Sequence, residues 1–140
     1  EKWYINTDQS YAFGSGKVTA TYGTATAKAH ADANATDEDG DELDPVVVIP
    51  GLKTKLIRTV KAQAANELAK TDWYVVRKTE EDTAIPSAIT THRRAVRSKQ
   101  AAMETAITNA SDTPALETLY TYTTDSDGVH SRPLGEIPTL

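Results

Sequence analysis

The side chains that most often perform chemistry in proteins are few and widely separated in this sequence. The chain has three histidines, His30, His92 and His130, and no cysteine. No two histidines stand at the i, i+4 spacing that brings both rings to one zinc ion, and thiolate ligands and nucleophiles are excluded. No Gly-x-Ser-x-Gly elbow is present either. We therefore predict no catalytic residue, no metal site and no cofactor, in a protein that is not an enzyme.

Two acidic segments resemble calcium-binding loops but lack essential ligands. In the segment TDEDGDELDP, residues 36–45, Gly40 would occupy loop position six of an EF-hand. Position one is then Ala35 and position twelve is Val46, so the first carboxylate and the bidentate glutamate are both missing. The segment TDSDGVHSRPLG lacks the same two ligands. We predict acidic loops here rather than calcium sites.

Charge is distributed unevenly along the chain. Residues 1–50 carry three basic and nine acidic side chains, residues 51–110 carry eleven and six, and residues 111–140 carry one and five. The basic middle segment is able to pair either with an acidic partner or with the ends of its own chain. Its densest part, HRRAVRSK, has the charge to contact a phosphate backbone, but no aromatic residues are interleaved with the basic ones. We predict a protein-binding helix surface carrying Arg93, Arg94 and Arg97, and no specific nucleic acid partner.

The first 33 residues have the alternation that is typical of strands. Val18, Ala20 and Tyr22 alternate with polar residues, and alanines then occupy every second position from 25 to 33. This period of two predicts strands with a hairpin turn near Gly23 and Thr24. An all-alanine face buries little area, so it suits either a close approach between backbones or a strand that is completed by another subunit.

After residue 51 the apolar spacing changes to that of helices. Leucine, valine and alanine recur at every fourth position from Leu52 to Leu68, which predicts an amphipathic helix that ends near Thr71 and Asp72. A polar loop and Pro86 precede a second helix, with Ser87 as its N-cap and an apolar stripe that reaches Asn109. The predicted apolar stripe comprises Ile89, Val96, Met103, Ile107 and Ala110. A short third helix is capped by Asp112 or Thr113 and has Pro114 in its first turn.

These elements predict an α+β fold in which an N-terminal β-hairpin, or short antiparallel strands, precedes an antiparallel helical hairpin and a short third helix. The predicted segments are a strand-rich part with the acidic loop (1–50), a helical module (51–122) and an irregular tail (123–140). The chain shows no basic-then-apolar leader and no run of 18 apolar residues, so neither a signal peptide nor a membrane span is expected.

The run Trp73-Tyr74-Val75-Val76 places unusual apolar bulk at the joint between the two long helices. We predict that Trp73 and Val75 fill the open end of the helical hairpin, where Trp73 contacts Leu68, Ile89 or Val96. Asp72 is expected to cap or turn the chain at the end of the first helix. Tyr74 and Val76 would then face outward, with Tyr74 available to a partner.

The sequence LAKTDWYVVRK followed by IPSAITTHRRAVR resembles the helical module of the bacteriophage tail assembly chaperone family and its relatives among tail-fibre-associated proteins. The pattern of that family is a helix ending in Leu-x-x-Ser/Thr-Asp-Trp, a loop with a proline, and a helix carrying Trp-x-x-Tyr-Arg-x-x-Leu-Arg. The matching residues are Leu68, Thr71, Asp72, Trp73, Pro86, Arg93, Val96 and Arg97. Ile89 and His92 replace the second Trp and the Tyr, and the second helix continues through SKQAAMETAITNASD. The resemblance covers about residues 52–100.

This resemblance implies a phage or prophage protein that acts by binding other tail or tail-fibre proteins. It leaves open whether the protein stays in the particle or is a transient assembly chaperone. Because the predicted core is thin, we expect a structural component of the tail or tail fibre, located in the virion and made in the bacterial host cytoplasm. The expected partners are other tail proteins or further copies of the chain, within a homo-oligomer or large assembly.

Overall fold

The computed structural model of the chain describes residues 2–6 and 8–140. Over these residues the fold is mixed α+β, as the sequence predicts, with short antiparallel strand pairs at the N-terminal side. Four helices follow, one more than the three that were predicted. The chain divides into two compact units, residues 1–52 and residues 53–140. None of the helices in the described part of the chain is long and apolar enough to cross a membrane.

The N-terminal unit is built from antiparallel pairs of very short strands. Only the central pair has more than two residues in each strand among the residues described here. The pairs are β1 (Tyr4–Ile5) with β4 (Thr26–Ala27), β2 (Gln9–Gly14) with β3 (Lys17–Tyr22), and β5 (Ala33–Asn34) with β6 (Val48–Ile49).

The β2–β3 hairpin turns at Ser15 and Gly16, so the prediction of a turn near Gly23 and Thr24 was wrong. Both turn residues have positive φ, 52° and 75°, which matches the right-handed twist of the flanking strands in a two-residue hairpin. Gly23 instead lies at the base of the hairpin, where its N–H donates to the carbonyl of Asp8 at 2.8 Å. Gly16 adopts positive φ without steric cost, and Ser15 is the non-glycine residue of the turn that also adopts it.

The alternating alanine segment does not form the sustained strand that its period predicts. Only Thr26–Ala27 and Ala33–Asn34 pair, because alanine side chains bury too little area to hold a longer strand. Between these strands the chain approaches Gly51 so closely that a Cβ there would lie 2.2 Å from the carbonyl oxygen of Ala31. The Gly51 N–H donates to Asp32 Oδ1 at 2.8 Å, which holds the segment in place.

Four helices and one further strand pair follow in the described residues. The apolar stripes of the two longest helices are buried as their spacing predicts, including Ile89 and Val96. The elements are α1 (Leu52–Ala69), α2 (Asp72–Glu81), α3 (Ser87–Asn109), α4 (Thr113–Tyr120), β7 (Thr123–Thr124) and β8 (His130–Ser131).

Helices α1 and α3 are antiparallel. Lys53 at the start of α1 donates to the carbonyl of Thr108 at the end of α3 at 2.9 Å, and Arg93 near the start of α3 reaches the end of α1. The core is lined by aliphatic side chains and one methionine. Its most buried apolar members are Val60, Ala64, Val96, Met103, Ile107 and Leu116.

Two segments of the C-terminal unit differ from the sequence-based expectation. The polar stretch after Val76, expected as a loop, continues α2 to Glu81, and Asp82 ends the helix with a left-handed φ of 56°. The segment 123–140, expected to be irregular, contains the β7–β8 pair and returns to the helices. There the Leu134 side chain is buried and its N–H donates to the carbonyl of Leu119 at 3.0 Å.

The start of α4 follows the predicted pattern. Asp112 is the N-cap, its side chain accepts from the N–H of Ala115 at 2.8 Å, and Pro114 lies in the first turn.

Candidate protein-binding surface

The joint between α1 and α2 is held by the guanidinium group of Arg93. Its Nη1 lies 2.8 Å from the carbonyl oxygen of Leu68, 2.6 Å from Thr71 Oγ1 and 2.9 Å from Asp72 Oδ1. One cation therefore contacts the last turn of α1, the linking residue and the first residue of α2. A positive charge is favourable at a helix C-terminus, where carbonyl groups lack helical partners.

Thr71 completes this joint. It is almost fully buried, and both its N–H and its hydroxyl donate to the carbonyl of Leu68, each at 3.0 Å. The hydroxyl oxygen in turn accepts from Arg93. Burying a charged group is costly unless it is paired and hydrogen-bonded, and here Arg93 has both a carboxylate and two neutral acceptors.

Arg93 is therefore not available to a partner, and its prediction as a protein-binding residue was wrong. Its side chain is buried and engaged within the chain, because it lies four residues after Ile89 and three before Val96, on the buried face of α3. Arg94 and Arg97 are exposed. Arg93 stands at helical spacing from the core residues Ile89 and Val96. This spacing is the sequence signal that could have identified Arg93 as buried.

Trp73 does not fill the end of the helical hairpin, so the prediction that it is largely buried was wrong. Its side chain is 51% exposed, and Val75 is also exposed. The reason is that the joint is closed by Thr71 and Arg93, which leaves no apolar gap for a ring. Asp72 was expected to cap or turn the chain at the end of α1, but the turn lies at Lys70 and Thr71. Asp72 is the first residue of α2, and its carboxylate pairs with Arg93.

Helix α2 instead carries a pair of stacked rings, of which Trp73 is half exposed and Tyr74 is half-buried. The Trp73 and Tyr74 rings lie 3.9 Å apart at an interplanar angle of 33°. The guanidinium carbon of Arg77 lies 4.6 Å from the centre of the Trp73 ring and 5.5 Å from that of Tyr74, within cation–π range. Val76, one turn from Trp73, is 51% exposed. We call Trp73, Tyr74, Val76 and Arg77 the α2 aromatic surface.

This surface is unusual because α2 buries none of its ten residues. An ordinary surface helix buries one apolar stripe against the core. In α2 Trp73 and Val76 are about half exposed, whereas Tyr74 and Arg77 are half-buried. The helix therefore leaves the Trp73 ring accessible and packs Tyr74 only in part.

An open groove of about 540 Å³ lies along α1 and α3. Arg97 lies on it, beside Leu68 of α1 and Glu104 of α3. Glu104 is already engaged, since it lies 3.5 Å from Lys61 Nζ and accepts from Gln100 at 2.8 Å. The groove offers a mixed, shallow contact region formed by α1 and α3.

In each acidic loop the first aspartate forms hydrogen bonds within the loop itself. Asp37 Oδ1 accepts from the N–H groups of Asp39 and Asp41, each at 3.0 Å, and Asp125 does the same in the β7–β8 turn. These are Asx turns. Within the described residues no group of three or more His, Cys, Asp or Glu side chains is arranged to hold a metal ion.

A second buried charge, Glu67, was missed at the sequence level. Its carboxylate is 5% exposed and accepts from Lys70 and, at 3.0 Å, from the N–H of Leu140. His92 Nε2 lies 3.3 Å away, close enough for an ion pair but not aligned for a hydrogen bond. The hydrogen bond from Lys70, assisted by the Leu140 N–H and the nearby charges, holds the pKa of Glu67 below its ordinary value despite burial. Glu67 thus fastens residue 140 to α1.

Compared with known proteins, the sequence matches no family model and no curated protein, and the structure matches no solved structure. Function is therefore inferred from the surfaces described above and from the resemblance of residues 52–100.

Replacing Arg93 tests the joint. Arg93→Met keeps an aliphatic stem of similar reach but removes the bonds to Leu68, Thr71 and Asp72. Because hydrogen bonds to charged groups are worth about 1.5–3 kcal/mol, we expect a loss of about 2–3 kcal/mol in unfolding free energy by urea titration. Arg94→Met, on the exposed side of the same helix, should stay within about 0.5 kcal/mol of the parent. Equal losses in the two variants would contradict the proposed role of Arg93.

The Glu67 site predicts a defined pH dependence. A carboxyl whose pKa is lowered by folding stabilises the folded state above its ordinary pKa, and that contribution disappears as the pH falls through the lower, folded value. The melting temperature of the parent should therefore decrease as the pH falls below about 4.5. Glu67→Gln should lack this part of the decrease. Glu80→Gln, an exposed substitution on α2, is the control. Parallel pH profiles for the parent and Glu67→Gln would contradict the assignment.

Proposed function

We propose that this protein is a non-enzymatic, tail-associated component of a bacteriophage particle that binds other proteins through the α2 aromatic surface. The observation that carries the proposal is the contact of Arg93 with Leu68 and Asp72. These residues belong to the two separate halves of the motif that resembles the phage tail family. A single side chain joins both halves into one structural unit.

This contact gives the motif a physical purpose. The Arg of the second half fixes the corner formed by the Leu and Asp of the first half, and the Trp that follows is then directed outward. The motif therefore produces a rigid helix start with an exposed ring. A pattern that served only to build a core would bury Trp73, whereas here it is half exposed.

The composition of the α2 aromatic surface supports protein binding. Tryptophan, tyrosine and arginine are the side chains most enriched among the energetically dominant residues of protein interfaces. Trp73, Tyr74 and Arg77 are adjacent and already stacked on one another, so little side-chain freedom remains to be lost on association. Arg94 and Arg97, exposed on α3, add positive charge to the same unit.

A transient tail or tail-fibre assembly chaperone is the alternative function. The same exposed helix favours it, since a chaperone must present its binding surface before assembly and release it afterwards. Both functions use protein contacts at α2, and they differ in whether the protein stays in the finished particle. We favour the permanent component because the hairpin of the N-terminal unit also leaves all of its residues exposed.

Mass spectrometry of purified particles tests the proposed role. We expect this chain to be present at a constant ratio to the known tail proteins of the phage or prophage that encodes it, after washing at high salt. Its absence from infectious particles, together with defective tails when the gene is deleted, would instead support the chaperone function. Intact, infectious particles from a deletion strain would contradict both.

Trp73→Ala tests the α2 aromatic surface. Because the ring is half exposed, we expect the unfolding free energy to fall by no more than about 1.5 kcal/mol, the scale of a lost aromatic pair. In a deletion strain complemented with the variant, incorporation into particles should nevertheless drop strongly. Thr79→Ala, on the opposite side of α2, is the matched control and should complement fully. If Trp73→Ala is incorporated like the parent, α2 is not the binding surface.

A further inference from the structure

The β2–β3 hairpin has one apolar and one polar face. Residues paired across the hairpin point to the same side of a two-stranded sheet, so the register sorts the twelve side chains without ambiguity. One face combines the pairs Gln9–Tyr22, Tyr11–Ala20 and Phe13–Val18. The other combines Ser10–Thr21, Ala12–Thr19 and Gly14–Lys17. We call the first of these the hairpin apolar face.

The hairpin apolar face is uncovered. Phe13 is 78% exposed, and Tyr11, Val18 and Tyr22 are each at least 60% exposed. All residues of both strands are exposed, so neither face packs on the rest of the N-terminal unit. An isolated two-stranded hairpin is marginally stable in water and normally needs a third strand or a packed face. The hairpin therefore lacks the contact that would stabilise it.

We propose that the hairpin apolar face packs against the same face of a second copy of this chain. The face is self-complementary across its two strands. Strand β2 carries the large rings of Tyr11 and Phe13, whereas the opposite positions on β3 are the smaller Ala20 and Val18. A two-fold axis parallel to the strands places β2 of each copy over β3 of the other. Tyr11 and Phe13 then lie over Ala20 and Val18, and Tyr22 lies over Gln9. In such an isologous interface the residues of β2 in each copy contact the residues of β3 in the other copy.

The area of the face agrees with a reversible dimer. At roughly 150–250 Å² for each aromatic side chain, the exposed parts of the three rings and Val18 amount to about 500 Å² in each copy. Two copies would bury about 1,000 Å², which is the lower limit of specific interfaces. The dimer should therefore depend on concentration.

Charge also favours a second copy over an oppositely charged partner. The only charged side chain between residues 9 and 22 is Lys17, and it belongs to the polar face at the tip of the hairpin. Two such faces meet without buried charges or like-charge repulsion. The contact lies in the N-terminal unit and is tested on the purified chain, so it stands or falls independently of the proposed phage function.

Sedimentation equilibrium of the purified full chain tests the proposal. We expect a monomer–dimer equilibrium for the parent. Phe13→Glu should weaken dimerisation about thirty-fold or more, the scale expected for the loss of a dominant interface residue. Thr19→Glu places the same charge on the polar face, with the same low strand propensity, and should dimerise like the parent. Circular dichroism of both variants should show the helical content of the parent.

Cross-linking gives a second measurement that does not depend on a disruptive variant. The chain has no cysteine, so a single introduced thiol is specific. Ala20→Cys, in the central pair of the hairpin apolar face, should be joined into dimers by a short bismaleimide linker. Thr19→Cys, on the polar face, should be joined far less.

A parent that remains monomeric at the highest soluble concentration would overturn the proposal. So would a dimer that survives Phe13→Glu, since the interface would then lie elsewhere, such as at a strand edge. Equal cross-linking of Ala20→Cys and Thr19→Cys would exclude face-to-face packing. Binding of a monomeric parent to phosphatidylcholine vesicles, abolished by Phe13→Glu, would assign the face to lipid and likewise overturn it.

Discussion

The buried guanidinium of Arg93 is the interaction on which the C-terminal unit depends. It satisfies the carbonyl at the end of α1, binds the buried hydroxyl of Thr71 and pairs with the first carboxylate of α2. No aliphatic side chain could replace it, because a helix end presents polar groups that must be bonded. Since Arg93 comes from α3, the same contact also sets how α1 and α3 meet at this end of the antiparallel pair.

The exposure of α2 is a consequence of this polar joint. Arg93 and Thr71 occupy the corner, and the next helix begins immediately at Asp72. Because Trp73 and Tyr74 already lie within this helix, their rings do not fold back onto the end of α1. Trp73 and Tyr74 then stack on each other and on Arg77 instead of entering the core. A helix without buried residues is stabilised mainly by its own hydrogen bonds and by the joint. Helix α2 is therefore fixed at its N-terminal end by Arg93, and none of its residues is fully buried.

The two units differ in how many of their apolar side chains are buried. Residues 53–140 combine a compact aliphatic core with buried charges that each have partners, as Glu67 and Arg93 show. The strand pairs of residues 1–52 are too short to enclose a core, and their longest hairpin exposes every residue. The low content of large apolar side chains, evident from the composition, thus becomes in one unit a small but complete core. In the other unit it becomes an open face.

The sequence by itself determined the elements whose signals are local. The period of four in α1, the apolar stripe of α3 and the Asp112 cap depend on residues within one or two turns of each other. The α+β class and the positions of α1, α3 and α4 therefore followed from the pattern, whereas α2 did not. Where a local signal was weak, the prediction failed. The alanine alternation has the period of a strand without the buried area that stabilises one, and the two-residue turn at Ser15 and Gly16 was overlooked beside Gly23.

Only the tertiary structure decided which side chains close the joints. The sequence-based prediction assigned Trp73 to the corner between α1 and α2 and Arg93 to a binding surface, because burial of apolar area is the larger general contribution to stability. The corner, however, is lined by a carbonyl, a hydroxyl and a carboxylate, and these need a donor. Such partners are separated by more than 20 residues along the chain, as is Glu67 from Leu140. Their pairing depends on how the helices pack, and no spacing within a single helix encodes it.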